Sequence, residues 1–136
     1  IVVINDEYNS SPLSMSAALE ELTHLAVPGR RVLVCGDMLE LGSRSVELHK
    51  EIGEQVANSN IDILCTVGPY SKFVAEEAMS NGMPMENIHS CKNSEEMRSL
   101  VNSLLKSSDT VLIKGSRKMN LESVSHEIEQ FSQKNK

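Results

Sequence analysis

The sequence predicts an α/β domain in which a mostly parallel sheet is covered by helices on both faces. Three observations carry this expectation: short apolar runs rich in Val, Ile and Leu, segments of helical period between them, and regular alternation of the two along the chain. Alternating strands and helices close by right-handed crossovers, which make the strands parallel. With 136 residues, one domain can bury a genuine core without disulfides or a structural metal.

The first predicted strand is the run Ile-Val-Val-Ile at 1–4, and it starts at once, with no lead-in and no initiator Met. A longer parent chain is therefore expected. Met15, Ala18, Leu19, Leu22 and Leu25 then recur at three- and four-residue steps, which predicts a helix over 13–25 with one face on the sheet. Ser14 is its expected N-cap, and Pro28-Gly29 closes the segment before the next strand. Strands follow at 31–35, 61–67 and 110–113, with a weaker one around Ile88, where Pro84 and Asn87 mark the preceding loop. Helices are expected over 46–57, 72–79, 94–105 and 121–131. Asn93 or Ser94 caps the fourth helix, and Glu95 and Glu96 suit the positive end of its dipole. Residues 133–136 should fray.

Composition narrows the function. A formal net charge of -6 argues against nucleic acid as a partner, because displacing phosphate counterions needs a clustered excess of Lys and Arg. Cys35, Cys65 and Cys91 form an odd set with no CxxC pair, which fits a reducing cytoplasm and thiols that act as small hydrophobes. No apolar stretch is long enough to cross a bilayer, and no signal-type core opens the chain, so a soluble, cytoplasmic protein is expected.

In such sheets ligands gather at the carboxyl ends of the strands. After the first strand comes Asn5-Asp6-Glu7-Tyr8-Asn9-Ser10-Ser11-Pro12, a dense polar turn. Asp6 suits a ribose hydroxyl or a Mg²⁺-bound water, Tyr8 offers a ring face, and Asn9 offers the paired donor and acceptor that adenine reads. An Asx-turn capping the next helix accounts for the same residues. The second strand runs into Gly36-Asp37-Met38-Leu39-Glu40-Leu41-Gly42, where glycines let backbone approach a ligand and Asp37 or Glu40 can grip an ammonium or a metal; structural GD turns look the same. His49 lies on the following helix, where packing is the ordinary role. The last strand leads to Lys114-Gly115-Ser116-Arg117-Lys118, a cradle for a carboxylate or phosphate, or else a solvated basic turn. Neither GxxxxGK[ST] nor GxGxxG occurs, so the chain has no triphosphate cradle of its own.

Taken in order, the motif at 6–12, Gly36-Asp-Met-Leu-Glu-Leu-Gly42 with Glu47-Leu-His49 after it, Thr66-Val-Gly68 and Lys114-Gly-Ser-Arg117 resemble one family, the MurF branch of the Mur ligases. The first motif of that family reads D-x-Y-N-A-N-P, and this chain departs from it at Ser10 and Ser11; the GDMxELG and KGSR motifs match throughout. The resemblance implies a Rossmann-like three-layer fold over 1–132, the third domain of a monomeric, three-domain, cytoplasmic enzyme that does not engage membranes. It implies ATP-dependent addition of D-Ala-D-Ala to UDP-N-acetylmuramoyl-tripeptide through an acyl phosphate, with ATP and Mg²⁺ held mainly by upstream domains and the isolated domain inert. Carried over by position, Asp6, Tyr8, Asn9 and Pro12 meet the nucleotide. Asp37, Glu40, Lys114, Ser116 and Arg117 serve the dipeptide side, and no catalytic residue or metal ligand is assigned to this chain. A flavodoxin-like or receiver-like phosphate-binding module, with Asp37 and Lys114 at strand ends, is the competing expectation.

Overall fold

A computed structural model describes residues 1–6 and 10–134. Five strands form one sheet: β1 (Val2–Asp6), β2 (Arg31–Gly36), β3 (Ile63–Val67), β4 (Ile88–Cys91) and β5 (Thr110–Lys114). All pairings are parallel, in the order β1-β5-β2-β3-β4. Five helices alternate with them: α1 (Pro12–His24), α2 (Ser45–Ala57), α3 (Lys72–Ser80), α4 (Ser94–Leu104) and α5 (Leu121–Lys134). The central strands β2, β3 and β5 are buried on both faces, which is why they read as unbroken apolar runs.

Period-two alternation sorts the sheet into two cores. Leu33, Leu64 and Leu112 face α1, α2 and α3, meeting Met15, Leu19 and Leu22, then Ile52 and Val56, then Val74 and Ala78. Val34, Cys65 and Ile113 face the other way, against Met97 and Val101 of α4 and Val124 and Ile128 of α5. Each fully buried Leu or Ile contributes about 1.5–3 kcal/mol, so these two layers dominate the stability.

The start of α1 differs from the expectation. Ser11, not Ser14, is the N-cap: its Oγ accepts the Ser14 N–H at 3.1 Å, while Ser14 Oγ accepts the Ser11 N–H at 2.9 Å. Pro12 explains the shift, since its fixed φ and missing N–H suit the first helical position and move the cap three residues back, from 14 to 11. Asn93 caps α4 as expected, accepting the Glu96 N–H at 3.0 Å. β3 begins at Ile63 rather than at 61, because the Asp62 carboxylate takes the Arg31 N–H at 2.8 Å before the strand starts. At the opposite end from the carboxyl edge, Arg30 grips Asp109 through two hydrogen bonds of 2.9 and 2.7 Å and ties the entry of β2 to that of β5.

Candidate functional site at the carboxyl edge of the sheet

The strand ladder reaches further than the apolar runs suggest. Asp6 closes β1 and Lys114 closes β5, paired in register; Lys114 is paired on its other side with Cys35, Cys35 with Thr66, and Thr66 with Ser90. Side chains in register share a face, so one polar row crosses all five strands on the α1–α3 side. Its anchor is an ion pair of Lys114 Nζ with Asp6 Oδ2 at 2.8 Å. The Lys114 side chain is 2% exposed and that of Asp6 46% exposed, so the ammonium is enclosed while the carboxylate keeps an open side. Further along the row, Thr66 Oγ1 donates to Ser90 Oγ at 3.0 Å. Burial pushes the Cys35 thiol up to about 12, and the nearby Asp37 carboxylate adds to the effect, which leaves Cys35 an inert hydrophobe.

The turn after β2 points Asp37 inward. Its side chain is buried, and Oδ1 accepts the backbone N–H groups of Ser71 at 2.7 Å and Tyr70 at 3.1 Å, just ahead of α3. The following residue, Met38, donates its N–H to His49 Nε2 at 3.0 Å. A backbone N–H can only donate, so Nε2 is the bare nitrogen and the ring proton sits on Nδ1, which donates to the Ser45 carbonyl at 2.6 Å. His49 is fully buried and stacks on Tyr70 with ring centroids 5.7 Å apart. Glu40, by contrast, is exposed and holds a left-handed φ of 62°.

The turn after β5 lies directly beside the turn after β2. A Cβ on Gly115 would stand 2.5 Å from Leu121 Cδ1 and 3.3 Å from Gly36 Cα, so only glycine allows the two turns this approach. Gly68 has φ +114°, and a side chain there would strike Asp37 and Met119. The room that the glycines leave is thus taken by Met119 and Leu121 of this chain rather than by a ligand. Arg117 and Lys118 are exposed. Among the described residues, Ser116 Oγ is buried with no hydrogen-bond partner, as is Ser10 Oγ on the loop before α1. A buried polar group left unpaired costs about 1–3 kcal/mol.

Of the residues singled out from sequence, the structure brings Asp6 and Lys114 into contact and sets Ser116 and Arg117 on the next turn. Pro12 opens α1, and Tyr8 and Asn9 lie outside the described residues. Asp37 is not open to solvent, so an acceptor of a phosphoryl group, as the receiver-like alternative requires, is not what this carboxylate provides. Sequence reasoning did not bring His49 and Tyr70 together beside the turn after β2. The signal was present: the buried positions of α2 are Ser45, His49, Ile52, Gly53 and Val56, a helical stripe with the histidine inside it. Among the described residues, no three His, Cys, Asp or Glu side chains are grouped to hold a metal ion. Asp37 is taken by N–H donors and Asp6 by an ammonium, so this donor set does not fit Mg²⁺.

Comparison with known proteins matches residues 1–117 to the family model described as Mur ligase, glutamate ligase domain. Among curated relatives, the UDP-N-acetylmuramoyl-tripeptide–D-alanyl-D-alanine ligase of Bacillus subtilis (strain 168) is 35% identical over 90% of this chain and 26% of its own length. The ligase of the same name from Buchnera aphidicola subsp. Baizongia pistaciae is 37% identical over 88% of this chain and 25% of its own. The crystal structure of MurF ligase from Thermotoga maritima in complex with ADP superposes with a TM-score of 0.76 at 27% identity, covering 98% of this chain and 29% of that one. A MurF structure from Acinetobacter baumannii gives 0.77 at 28% identity, covering 89% and 26%. The chain thus spans about a quarter of the length of these relatives. No helix among the described residues is long and apolar enough to cross a membrane.

Proposed function

Because the chain belongs to the Mur ligase family, as its glutamate ligase domain, we propose that it works as the third domain of a cytoplasmic, monomeric ligase that adds D-Ala-D-Ala to UDP-N-acetylmuramoyl-tripeptide. The observation that carries this reading is the name shared by the curated relatives, all D-alanyl-D-alanine ligases of this kind across the aligned length. In the proposed reaction, ATP transfers its γ-phosphoryl group to the tripeptide carboxylate. The dipeptide amine then attacks the acyl phosphate, and phosphate leaves as the amide forms.

This chain's share is to bind and orient. The open side of the Asp6 carboxylate takes a ribose hydroxyl of ATP, with Tyr8, Asn9 and Pro12 around the base. Lys114 holds Asp6 in place and adds positive charge beneath the dipeptide carboxylate, to which Ser116 and Arg117 supply direct donors. The Ser116 hydroxyl, buried and without a partner among the described residues, is suited to that task because a ligand oxygen would satisfy it. Asp37 and Glu40 shape the facing turn. ATP and Mg²⁺ are held chiefly by the other domains of the ligase, and the domain closes over them. Closure aligns the amine and excludes water from an acyl phosphate that would otherwise hydrolyse. The domain alone is inert.

Substituting single residues in the full-length ligase tests the division of labour. Arg117→Ala should raise the KM for D-Ala-D-Ala about tenfold, the worth of one charge-assisted contact, with the KM for ATP unchanged. An unchanged steady-state profile removes Arg117 from the site.

A further inference from the structure

We propose that His49 is a positioning residue for the dipeptide side of the site, acting through the Met38 backbone and the Tyr70 ring. The proposal deepens the ligase reading and rests on it. Three contacts converge on one fully buried imidazole: the Met38 N–H on Nε2 at 3.0 Å, the Ser45 carbonyl on Nδ1 at 2.6 Å, and the Tyr70 ring stacked at 5.7 Å. Met38 adjoins Asp37, whose carboxylate holds the Tyr70 and Ser71 N–H groups, so the turn after β2 and the turn before α3 are locked to each other and to α2.

The lock reaches the basic turn by contact alone. Gly36 and Gly115 approach closely with Leu121 Cδ1 packed against both, and Ser116 and Arg117 follow Gly115 directly. A shift of the Met38 backbone therefore presses on the turn that carries the proposed dipeptide donors. Tyr70, 42% exposed, is backed by the imidazole. On the far side of the polar row, Asp6 stands on the edge strand β1, two places along the sheet from β2 and its turn. The two substrates should thus respond differently to loss of the imidazole.

Asparagine and glutamine separate the two hydrogen bonds. A Gln amide at position 49 can reach the Nε2 position and accept from Met38, whereas an Asn amide reaches only the Nδ1 position and keeps the bond to Ser45. In the full-length ligase, His49→Asn should raise the KM for D-Ala-D-Ala about tenfold, the effect of losing one aligned hydrogen bond, with the KM for ATP within about twofold. His49→Gln should restore the dipeptide KM to within about threefold of wild type, although both variants lower the melting temperature. Should His49→Asn not fold, Tyr70→Leu carries the test, because it removes the stack and leaves both hydrogen bonds; the dipeptide KM should then rise about threefold. Equal shifts in Asn and Gln variants, parallel shifts in both KM values, or a fall in melting temperature with no change in KM would overturn the proposal and leave the ligase reading standing. A wild-type enzyme that forms no amide product overturns that reading, and the proposal with it.

Discussion

Lys114 on β5 and Asp6 on β1 face each other in register at the carboxyl edge of the sheet, with Nζ 2.8 Å from Oδ2 and the lysine side chain almost wholly enclosed. The pair sets the direction of the one carboxylate proposed to meet ribose. A buried ammonium is costly to desolvate, and removing one partner of a buried ion pair is destabilising chiefly where it strands the other charge away from water. Asp6 remains solvated on its open side, so it is not stranded by the exchange.

Lys114→Met should therefore cost less than the about 3–5 kcal/mol that stranding a buried charge costs, measured by urea titration of the 136-residue chain. In the full-length ligase the same substitution should lower kcat/KM for ATP at least about tenfold, the worth of one charge-assisted contact. Retained kcat/KM would mean that the lysine serves the fold alone.

The Arg30–Asp109 pair makes the opposite prediction, because it lies far from the site. Burial pushes the Asp109 carboxyl up, but the Arg30 guanidinium, through its hydrogen bonds and its charge, and the Lys106 N–H outweigh burial and hold it below the usual carboxylate range. A depressed folded value means that the stabilisation is complete above the ordinary carboxylate value of about 4 and is lost as pH falls through the folded value. Asp109→Asn should cost about 2–3 kcal/mol at pH 7 and flatten the acid limb of the stability curve. Urea titrations at neutral pH and near pH 3 decide it, and an unaltered acid limb would show that another group governs it.

The cysteines should be silent in the native protein. Burial raises Cys35 to about 12 and pushes Cys65 higher still, and Cys91, half-buried against Met97, is raised by burial and by Glu96. All three are free thiols. At pH 8 a disulfide reagent should therefore modify Cys91 slowly and Cys35 and Cys65 only on unfolding. Rapid native-state modification of Cys35 would show that the polar row opens to solvent.

The strands were legible because burial on both faces leaves an apolar run that periodicity detects, as at β2, β3 and β5. The same reasoning stopped short at Asp6 and Lys114, whose charges look like loop residues, although the ladder includes both. Ser14 looked like a cap because it precedes the apolar stripe, yet Pro12 moved the helix start and made Ser14 the partner of Ser11. Asp37 shows the limit of motif reading: the motif marks its turn, but only cross-strand register and the close approach of Gly68 turn its carboxylate toward the Tyr70 and Ser71 amides. His49 was assigned to packing, and packing it is, with a hydrogen bond to the GDM turn that no spacing encodes.

The central claim is that this domain serves an ATP-dependent ligation of D-Ala-D-Ala. Its most direct measurement is mass spectrometry of the nucleotide-linked product after the full-length protein is incubated with ATP, Mg²⁺, UDP-N-acetylmuramoyl-tripeptide and D-Ala-D-Ala, beside the 136-residue chain under the same conditions. The full-length protein alone should yield a UDP-linked pentapeptide, with ADP and phosphate in equal amounts. Absence of that product from the full-length protein, or ATP turnover by the 136-residue chain, would contradict the claim.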